Sequence, residues 1–508
     1  MSTSIFQIAN SNYTDSGSIS FGTLVSRFGR VAKQSGTTVE SIVTTEGNTY
    51  INNRFATMSL YNPSLILMPL AVSSSTLFTL YCNSGSMADF SVVNSTTPTA
   101  SLLTRVGSYG FITTSSNNTP RIDYFSSSSF PSKIPSILVE PLSTNQLLYS
   151  QDFTQWSSYQ ITVSSSVSDT PAPDGTFTAN KLIFTTSSAG SFIYQSLQIT
   201  SSITHSYSCF IKNNNFTGSQ RCTLYINSSS ANFSFGLTID PSTQETEVGL
   251  GPSGSLMVIG TPTSKVENYG NGWYRYSISF VPSSSMTASP NFFLLAINTS
   301  SLFAWGAQLE ANYPETINSS TTSHIFTSYI PTTATTQSRN RDEILVTSAS
   351  RVIGQTHGTI YCEFENIPQP GDRRLIGLGN TTATQDIGSN TFNRIMLFCP
   401  NANRLDGYVS NDNINLGDLS TGYNRVAFTY RPSGSGTSFS GSLNGNLVVS
   451  GSSTYAPLDL HVISVGMVEG ATYRALQWNS RIRHIALYTS SFTNDQLRTL
   501  SNTSSIIQ

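Results

Sequence analysis

The chain has 508 residues, of which 10% are charged, 38% are hydrophobic and 11% are aromatic, and its formal net charge is −2. This charge balance argues against nucleic-acid binding, which relies on clustered Lys and Arg. The share of aromatic residues argues against a disordered chain, and the length predicts about three domains.

The first region, residues 1–89, is predicted to be small and of mixed structure. Apolar residues at helix-like spacing predict a helix over 23–33, and runs at 65–68 and 77–81 predict strands. The helix has two interpretations: a segment that docks the protein onto a larger assembly, or a surface helix packed on its own domain. The residues from Met1 to Phe6 lack the features of a signal peptide, and no stretch approaches the roughly 20 apolar residues of a membrane span.

Residues 90–145 are predicted to be a strand-rich connector. The sequence PRIDY at 120–124 predicts a short strand after a proline, and ILVEP at 137–141 predicts an edge or terminal strand because a proline closes it. A segment of this length buries little surface alone. We therefore expect it to pack on its neighbours or to trimerise.

Residues 146–337 are predicted to form an antiparallel β-sandwich. Nine short runs of apolar and aromatic residues recur at regular spacing, and alternation is clearest in WYRYSISF at 273–280. The candidate glycan-binding residues are Trp156, Trp273, Tyr274 and Arg275. Trp305 is a further aromatic candidate. The other interpretation, which is favoured for Trp273 and Trp305, is that these large aromatic residues close the sandwich core. Lys212, Arg275 and Glu310 are rare charges among strand residues, so they either pair with each other or face a ligand.

A set of motifs in fixed order extends over roughly residues 90–345. The motifs are PRIDY, ILVEP, TNQLLYSQDFTQW at 144–156, GNGWYR at 270–275, AWGAQLE at 304–310 and SYIPT at 328–332. In this order they resemble the junction of tail-fibre and receptor-binding proteins of tailed bacteriophages. The resemblance implies a jelly-roll module similar to carbohydrate-binding modules, displayed on a virion.

Residues 338–508 are predicted to form a second sandwich. The pieces GTIYCEFE at 358–365, NRVAFTYR at 424–431 and SRIRHIALYTSSFTNDQLRTL at 480–500 resemble concanavalin A-like domains of the laminin-G type. Asn444 and Gly445 predict a tight hairpin turn, and Thr493 predicts the start of a short helix. This fold hosts lectins, glycanases and structural modules, so it does not identify a function.

The sharpest enzymatic hypothesis rests on Glu363 and Glu365, which are two residues apart on a predicted strand and would share one face. The E-x-D-x-x-E pattern of the sandwich glycanases is absent from the sequence, and a solvated outer strand is the simpler interpretation. Asp372, Asp386 and Asp406 are loop candidates for calcium, although no dense acidic loop is present.

Five cysteines are widely spaced: Cys82, Cys209, Cys222, Cys362 and Cys399. A bridge between Cys209 and Cys222 is an alternative to the favoured interpretation, which is buried free thiols. Neither the cysteines nor the five histidines show the spacing of a zinc site or a hydrolase. We predict no cofactor and no bound metal.

These observations predict an all-β, multi-domain protein of antiparallel jelly-roll β-sandwiches with a small mixed N-terminal region. The expected function is a non-catalytic bacteriophage tail fibre or adhesin that binds host cell-surface glycans. Residues 1–89 would contact other virion proteins. The protein is expected to bind no nucleic acid and not to insert into a membrane. It is expected in the virion, after assembly in the host cytoplasm. A homotrimer is implied by the resemblance alone, and display of several weak sites would raise avidity. The alternatives are a purely structural head or tail protein and a glycan depolymerase.

Overall fold

The structure is a computed structural model. It describes residues 102–126, 134–185, 190–217, 220–228, 233–250, 258–282, 291–296, 300–312, 326–369, 371–380, 393–467 and 476–504. Shorter described pieces are 5–6, 31–33, 54, 57–58, 61, 63–69, 77–81, 89–93, 315–317 and 320–322. Within this part of the chain, no helix is long and apolar enough to cross a membrane.

Two sheets with a shared apolar core form the first sandwich. Sheet I has the order β12 (Ile161–Ser164), β13 (Asn180–Phe184), β22 (Ser301–Asn312), β15 (Thr204–Asn213), β20 (Trp273–Phe280) and β19 (Thr263–Asn268), with β10 (Ser143–Asn145) on β22 and β25 (Gln337–Arg339) on β10. Sheet II has the order β11 (Ser157–Tyr159), β14 (Ser191–Ser196), β21 (Asn291–Ala296), β16 (Cys222–Ser228), β17 (Phe233–Ile239) and β18 (Thr246–Leu250). All the pairings are antiparallel.

Sheets III and IV form the second sandwich. Sheet III has the order β1 (Ile5–Phe6), β2 (Val31–Lys33), β4 (Leu77–Tyr81), β3 (Leu65–Pro69), β36 (Ser480–Tyr488), β27 (Gly358–Asn366), β32 (Gly422–Ser433), β33 (Gly436–Leu443) and β34 (Val449–Ser453), with β9 (Ser136–Val139) on β36 and β8 (Arg121–Asp123) on β9. Sheet IV has the order β31 (Asp412–Asp418), β30 (Arg404–Val409), β29 (Ile395–Cys399), β28 (Arg373–Gly379), β35 (Val462–Val465), β26 (Glu343–Thr347) and β5 (Asp89–Val93).

The described fold also contains small elements, including a 3-10 helix at Phe153–Gln155. A hairpin of β6 (Thr104–Val106) and β7 (Ile112–Thr114) belongs to the connector, and β23 (Glu315–Ile317) pairs with β24 (Ser320–Thr322). The helix α1 (Asn494–Ser501) starts at Thr493, whose side chain accepts from the backbone N–H of Gln496 in a capping box.

The predicted antiparallel β-sandwich fold is confirmed, and so are two local predictions. Asn444 and Gly445 both have positive φ, of 54° and 75°, as a two-residue hairpin turn requires. Thr493 caps the predicted helix. The helix predicted over 23–33 is wrong at its end, because residues 31–33 form β2 and pair with β4 instead. The rest of that helix lies outside the described residues.

The connector packs between the sandwiches. Strands β8 and β9 belong to sheet III, while the β6–β7 hairpin bonds to the first sandwich through Ile112 N and Pro173 O, 2.9 Å apart. Strand β3 of the predicted docking region pairs with β36 of the second sandwich, and β5, which spans the predicted boundary at residue 89, pairs with β26. Sheet pairing therefore crosses the predicted boundary at residue 89, and the division into 1–89, 90–145, 146–337 and 338–508 stays a prediction.

Candidate functional site

Trp156 and Trp273, predicted to be platforms for sugar rings, are buried. Trp156 is 5% exposed, and its indole Nε1 donates to the carbonyl oxygen of Leu148 at 3.1 Å. Trp273 is 1% exposed, and its Nε1 donates to Pro171 O at 2.9 Å. Stacking on a sugar requires an open ring face, which neither indole has. Both tryptophans are therefore core residues in this fold.

Arg275 and Tyr274, the other two predicted binding residues, point to opposite faces of β20. Arg275 is 1% exposed; its Nη1 donates to Thr327 O at 2.7 Å, and its Nη2 donates to Ser208 Oγ at 3.0 Å. Tyr274 is partly buried against the core between sheets I and II. The four predicted residues therefore do not form one surface.

Trp273 and Trp305 close a core, but not the one between sheets I and II. They lie on the outer face of sheet I, in the hydrophobic cluster that continues through the connector into the second sandwich. There Trp305 packs against Phe210 and Tyr329, with ring centroids 5.3 and 4.6 Å apart. The connector covers this face, so sheet I is buried on both sides.

Several of the sequence motifs, among them PRIDY and ILVEP, meet at a buried polar junction below the connector. Glu140 of ILVEP accepts from Ser328 N and Ser328 Oγ, both at 2.7 Å. Arg121 of PRIDY lies 2.8 Å from Glu140 and forms an ion pair with Asp342, and Arg339 lies 3.1 Å from Glu140. Burial opposes ionisation of Glu140, but Arg339 and Arg121 outweigh it and lower its pKa to about 2.

Asn145 and Glu310 extend this junction into the first sandwich. Asn145 Nδ2 donates to Ala307 O at 3.1 Å and to Ile330 O at 2.8 Å. Glu310, predicted to pair or to face a ligand, accepts from the hydroxyls of Ser143 and Thr327. The motif residues thus hold β10, β22 and the segment after residue 326 together, and they are structural in this fold.

Glu363 and Glu365 are both held in ion pairs. Glu363 is fully buried, 2.7 Å from Arg425 Nε and 3.4 Å from Arg483 Nη1. Glu365 accepts from Arg481 Nη1 at 2.8 Å. Burial alone would raise both pKa values. Contacts with His484 and Arg425 outweigh it and lower the pKa of Glu363 well below the usual range, and Arg481 lowers the pKa of Glu365. A general acid of a glycosidase needs the opposite shift.

The described candidates for calcium binding form ion pairs within the protein, and the described cysteines are buried. Asp372 pairs with Arg374 at 2.6 Å and Asp406 with Arg404 at 2.7 Å, while Asp386 lies outside the described residues. Among the residues that the structure describes, no three His, Cys, Asp or Glu side chains form a group that could hold a metal ion. Four cysteines, Cys209, Cys222, Cys362 and Cys399, are buried free thiols, and Cys82 is not described.

A polar cavity lies where the connector meets both sandwiches. Its lining includes Arg105, Glu267, Thr327, Asn479 and Arg481. The cavity volume is about 30 Å³. Since an ordered water needs at least about 10–15 Å³ on this scale, the cavity has room for roughly two waters and not for a sugar ring.

The outer face of sheet II carries side chains of a different kind. On β16, Cys222, Leu224 and Ile226 point into the core, so Thr223, Tyr225 and Asn227 point outward and are half-buried. Asn227 Nδ2 donates to Tyr225 Oη at 3.1 Å, which fixes the phenol. Tyr225 was not among the predicted site residues, although this alternation was visible in the sequence.

Two glycines continue the row from Tyr225 across the face. Tyr225 is paired with Gly236 on β17, and Gly236 is paired with Gly249 on β18. A methyl group added at Gly249 would meet no atom within 4 Å, so the space above it is open. We call Tyr225, Gly236 and Gly249 the Tyr225 strip. The next row of the face carries Thr223, Thr238 and Glu247 beside it.

An aromatic pair lies further along the same face. Tyr159 of β11 is 46% exposed and stacks on Phe192 of β14, with ring centroids 5.3 Å apart. Phe192 also lies 5.9 Å from the ring of Tyr194. Sheet II therefore presents rings on β11, β14 and β16 of its outer face, with the hydroxyl, amide and carboxylate groups of β16, β17 and β18 beside Tyr225.

No protein-family model and no curated protein matches this chain. Solved structures match parts of it. One is CBM40 of the Ruminococcus gnavus IT-sialidase bound to α2,3-sialyllactose, with 16% identity over 30% of this chain and 87% of that chain, at a TM-score of 0.26. Another is domain 4 of AbnA, an extracellular GH43 arabinanase from Geobacillus stearothermophilus, in complex with arabinotriose, with 13% identity over 32% of this chain and 73% of that chain, at a TM-score of 0.24.

A longer match is the Trypanosoma rangeli sialidase in complex with the inhibitor DANA. It has 10% identity to this chain and covers 65% of this chain and 61% of its own, at a TM-score of 0.26. The chain is similar to these proteins at low identity.

Proposed function

We propose that this chain is a non-catalytic, glycan-binding protein of a bacteriophage virion, a tail fibre or receptor-binding adhesin, and that the Tyr225 strip holds a sugar. The observation that carries the proposal is the row from Tyr225 through Gly236 to Gly249 on the outer face of sheet II. It combines an oriented ring, a strip without side chains and neighbouring polar groups, which are the features that a sugar ring with its hydroxyls requires.

The physical fit is one of shape and hydrogen bonding. The apolar C–H face of a sugar packs on an aromatic ring, and its hydroxyls bond to groups such as Thr238, Glu247 and Asn227. The strip is open and shallow, so a single site buries little area and its affinity is expected to be weak. Display of several copies on a virion would raise the avidity without any new contact. Trimeric assembly and attachment through residues 1–89 belong to the same proposal.

A purely structural virion role is the second candidate function. This role is favoured because Trp156 and Trp273 are buried. It is also favoured because motif residues such as Glu140 and Ser328 bond to each other inside the buried polar junction. A glycan depolymerase, the third alternative, would need a carboxylate pair in a cleft. The one pair suggested by sequence, Glu363 and Glu365, is held in ion pairs with arginines.

The proposal is tested by binding of the full chain to an array of immobilised bacterial surface oligosaccharides, with its mass measured in solution. We expect selective binding that Tyr225→Ala weakens. The matched control is Tyr455→Ala, because Tyr455 is 52% exposed and lies in the second sandwich. No binding by the folded, unmutated chain would reject the adhesin and favour the structural role.

A further inference from the structure

Three large aromatic side chains are exposed on two adjoining segments of the connector and the first sandwich. Tyr109 is 81% exposed and Phe111 is 37% exposed, in the turn between β6 and β7. Phe177 is 57% exposed, in the segment 170–178 between β12 and β13. Exposed rings of this size carry a solvation cost, so a group of three indicates a contact surface.

The two segments are fixed against each other. Ile112 N donates to Pro173 O at 2.9 Å. The ring of Phe111 covers Gly175, where a methyl group would lie 3.2 Å from the ring, and Gly175 has φ +81°. Only glycine fits this close approach without strain.

Three buried or half-buried side chains hold the segment 170–178 from below. Trp273 Nε1 donates to Pro171 O at 2.9 Å, Trp305 Nε1 donates to Thr178 Oγ1 at 3.0 Å, and Lys212 Nζ donates to Thr170 Oγ1 at 2.9 Å. The segment is therefore ordered before any ligand arrives, which lowers the entropy cost of binding. In this way, Trp273 acts as a positioning residue.

A carboxylate lies on the same segment. Asp174 Oδ1 accepts from Thr176 N at 3.0 Å and from Thr176 Oγ1 at 2.7 Å, which fixes its orientation. Among the described residues, Asp174 Oδ2 has no hydrogen-bond partner, so one acceptor is available to a ligand hydroxyl. Rings next to an oriented acceptor match the two faces of a sugar, one apolar and one hydroxylated.

We propose that Tyr109, Phe111, Phe177 and Asp174 form a second glycan-binding site. This inference rests on the proposed function and adds a separate location. The site lies over the outer face of sheet I, because Trp273 and Trp305 of that face hold it, whereas the Tyr225 strip lies on the outer face of sheet II. One chain would then contact two glycan chains from opposite sides of the first sandwich.

The size of the surface favours a sugar over a protein partner. An aromatic side chain buries at most about 150–250 Å². Three partly exposed rings therefore supply less than the roughly 800 Å² per partner of a specific protein interface. The residues that flank the rings in sequence include Ser108, Thr176 and Thr178, whose hydroxyls suit those of a sugar.

The test uses the full chain and an array of immobilised bacterial surface oligosaccharides at high and low density. The variants are Tyr109→Ala with Phe177→Ala, Tyr225→Ala, and all three changes together. We expect the double variant to weaken binding at high density by about tenfold, which corresponds to about 1.4 kcal/mol. We expect Tyr225→Ala to leave residual binding that the triple variant loses.

The matched control is Phe177→Tyr, which keeps the ring and should bind like the unmutated chain. The three positions that these variants change, 109, 177 and 225, are at least partly exposed, and equal melting temperatures would verify the fold. Unchanged binding by the double variant, with binding lost in Tyr225→Ala, would overturn the second site and leave the proposed function standing. No binding by the unmutated chain at either density would overturn both.

Discussion

Arg121 and Glu140 form a buried ion pair, with Arg121 Nη1 2.8 Å from Glu140 Oε2 and both side chains shielded from solvent. Arg121 belongs to the connector strand β8, and Glu140 follows β9 at the entry to the first sandwich. Because Glu140 also bonds to Ser328, this pair fixes the connector relative to both sandwiches. The stability of the whole arrangement should therefore depend on the charge of one carboxylate.

The first prediction concerns that charge and pH. The pKa of Glu140 is lowered to about 2 from an ordinary value of 4.5, so its charged form stabilises the fold above about pH 4.5. This contribution, on the order of 3 kcal/mol, is lost as the pH falls from 4.5 through 2. Glu140→Gln should lower the free energy of unfolding at pH 7, and its difference from the unmutated chain should shrink over this window.

Urea unfolding at several pH values measures the effect, and Glu245→Gln is the control because Glu245 is exposed. A difference that stays constant from pH 7 to pH 2 would contradict the assigned role of Glu140.

The second prediction concerns the contribution of Trp273 to the stability of the protein. Because its indole is buried and bonded to Pro171, Trp273→Ala should destabilise the protein by about 3–5 kcal/mol. Thermal unfolding measures this loss, with Tyr455→Ala as the nearly neutral control. A Trp273→Ala protein of normal stability would mean that the indole is not the core residue described above.

The third prediction uses the two glycines of the Tyr225 strip. Gly249→Val should fill the open space without a clash and should weaken glycan binding as much as Tyr225→Ala does, at unchanged stability. Gly236→Val should instead destabilise the fold, because its Cβ would lie 2.7 Å from Leu224 O. Array binding and melting temperature, measured for both variants, distinguish these outcomes. Binding by Gly249→Val equal to that of the unmutated chain would place the sugar elsewhere.

The fourth prediction concerns Glu363. Its removal leaves the cations of Arg425 and Arg483 buried without their carboxylate, so Glu363→Gln should cost about 3–5 kcal/mol of stability. Glu365→Gln should cost less, because Glu365 is partly exposed. Release of reducing ends from a polysaccharide by the unmutated chain, lost in both variants, would instead favour the depolymerase.

Local signals were enough to predict many elements of this fold. The run at 358–364 is apolar and bounded by Gly358, and it lies within β27. Strands such as β19 and β31 could not be predicted in the same way, because they are largely polar and half-exposed. Their place in the sheets is decided by pairing with β20 and β30, which are tertiary contacts.

The site residues were harder to predict for a related reason. A tryptophan such as Trp273 is large enough for either a platform or a core, and only the connector packed over sheet I decides between them. The outward direction of Tyr225 follows from alternation along β16. Its pairing with Gly236 and Gly249 depends on strand register, which the residues themselves do not specify.

The strand β36 has a consequence for the order of folding. It pairs with β9 along Ser480–Ile482 and with β3 along residues 485–487. Two strands from early in the chain therefore pair with a strand that comes much later. Ser64 bonds to Leu487 across 423 residues of chain. During synthesis, these strands must wait for β36 to leave the ribosome, and closing such long loops is slow. We therefore expect the first sandwich to form before β36 has left the ribosome, and sheet III to be completed only afterwards.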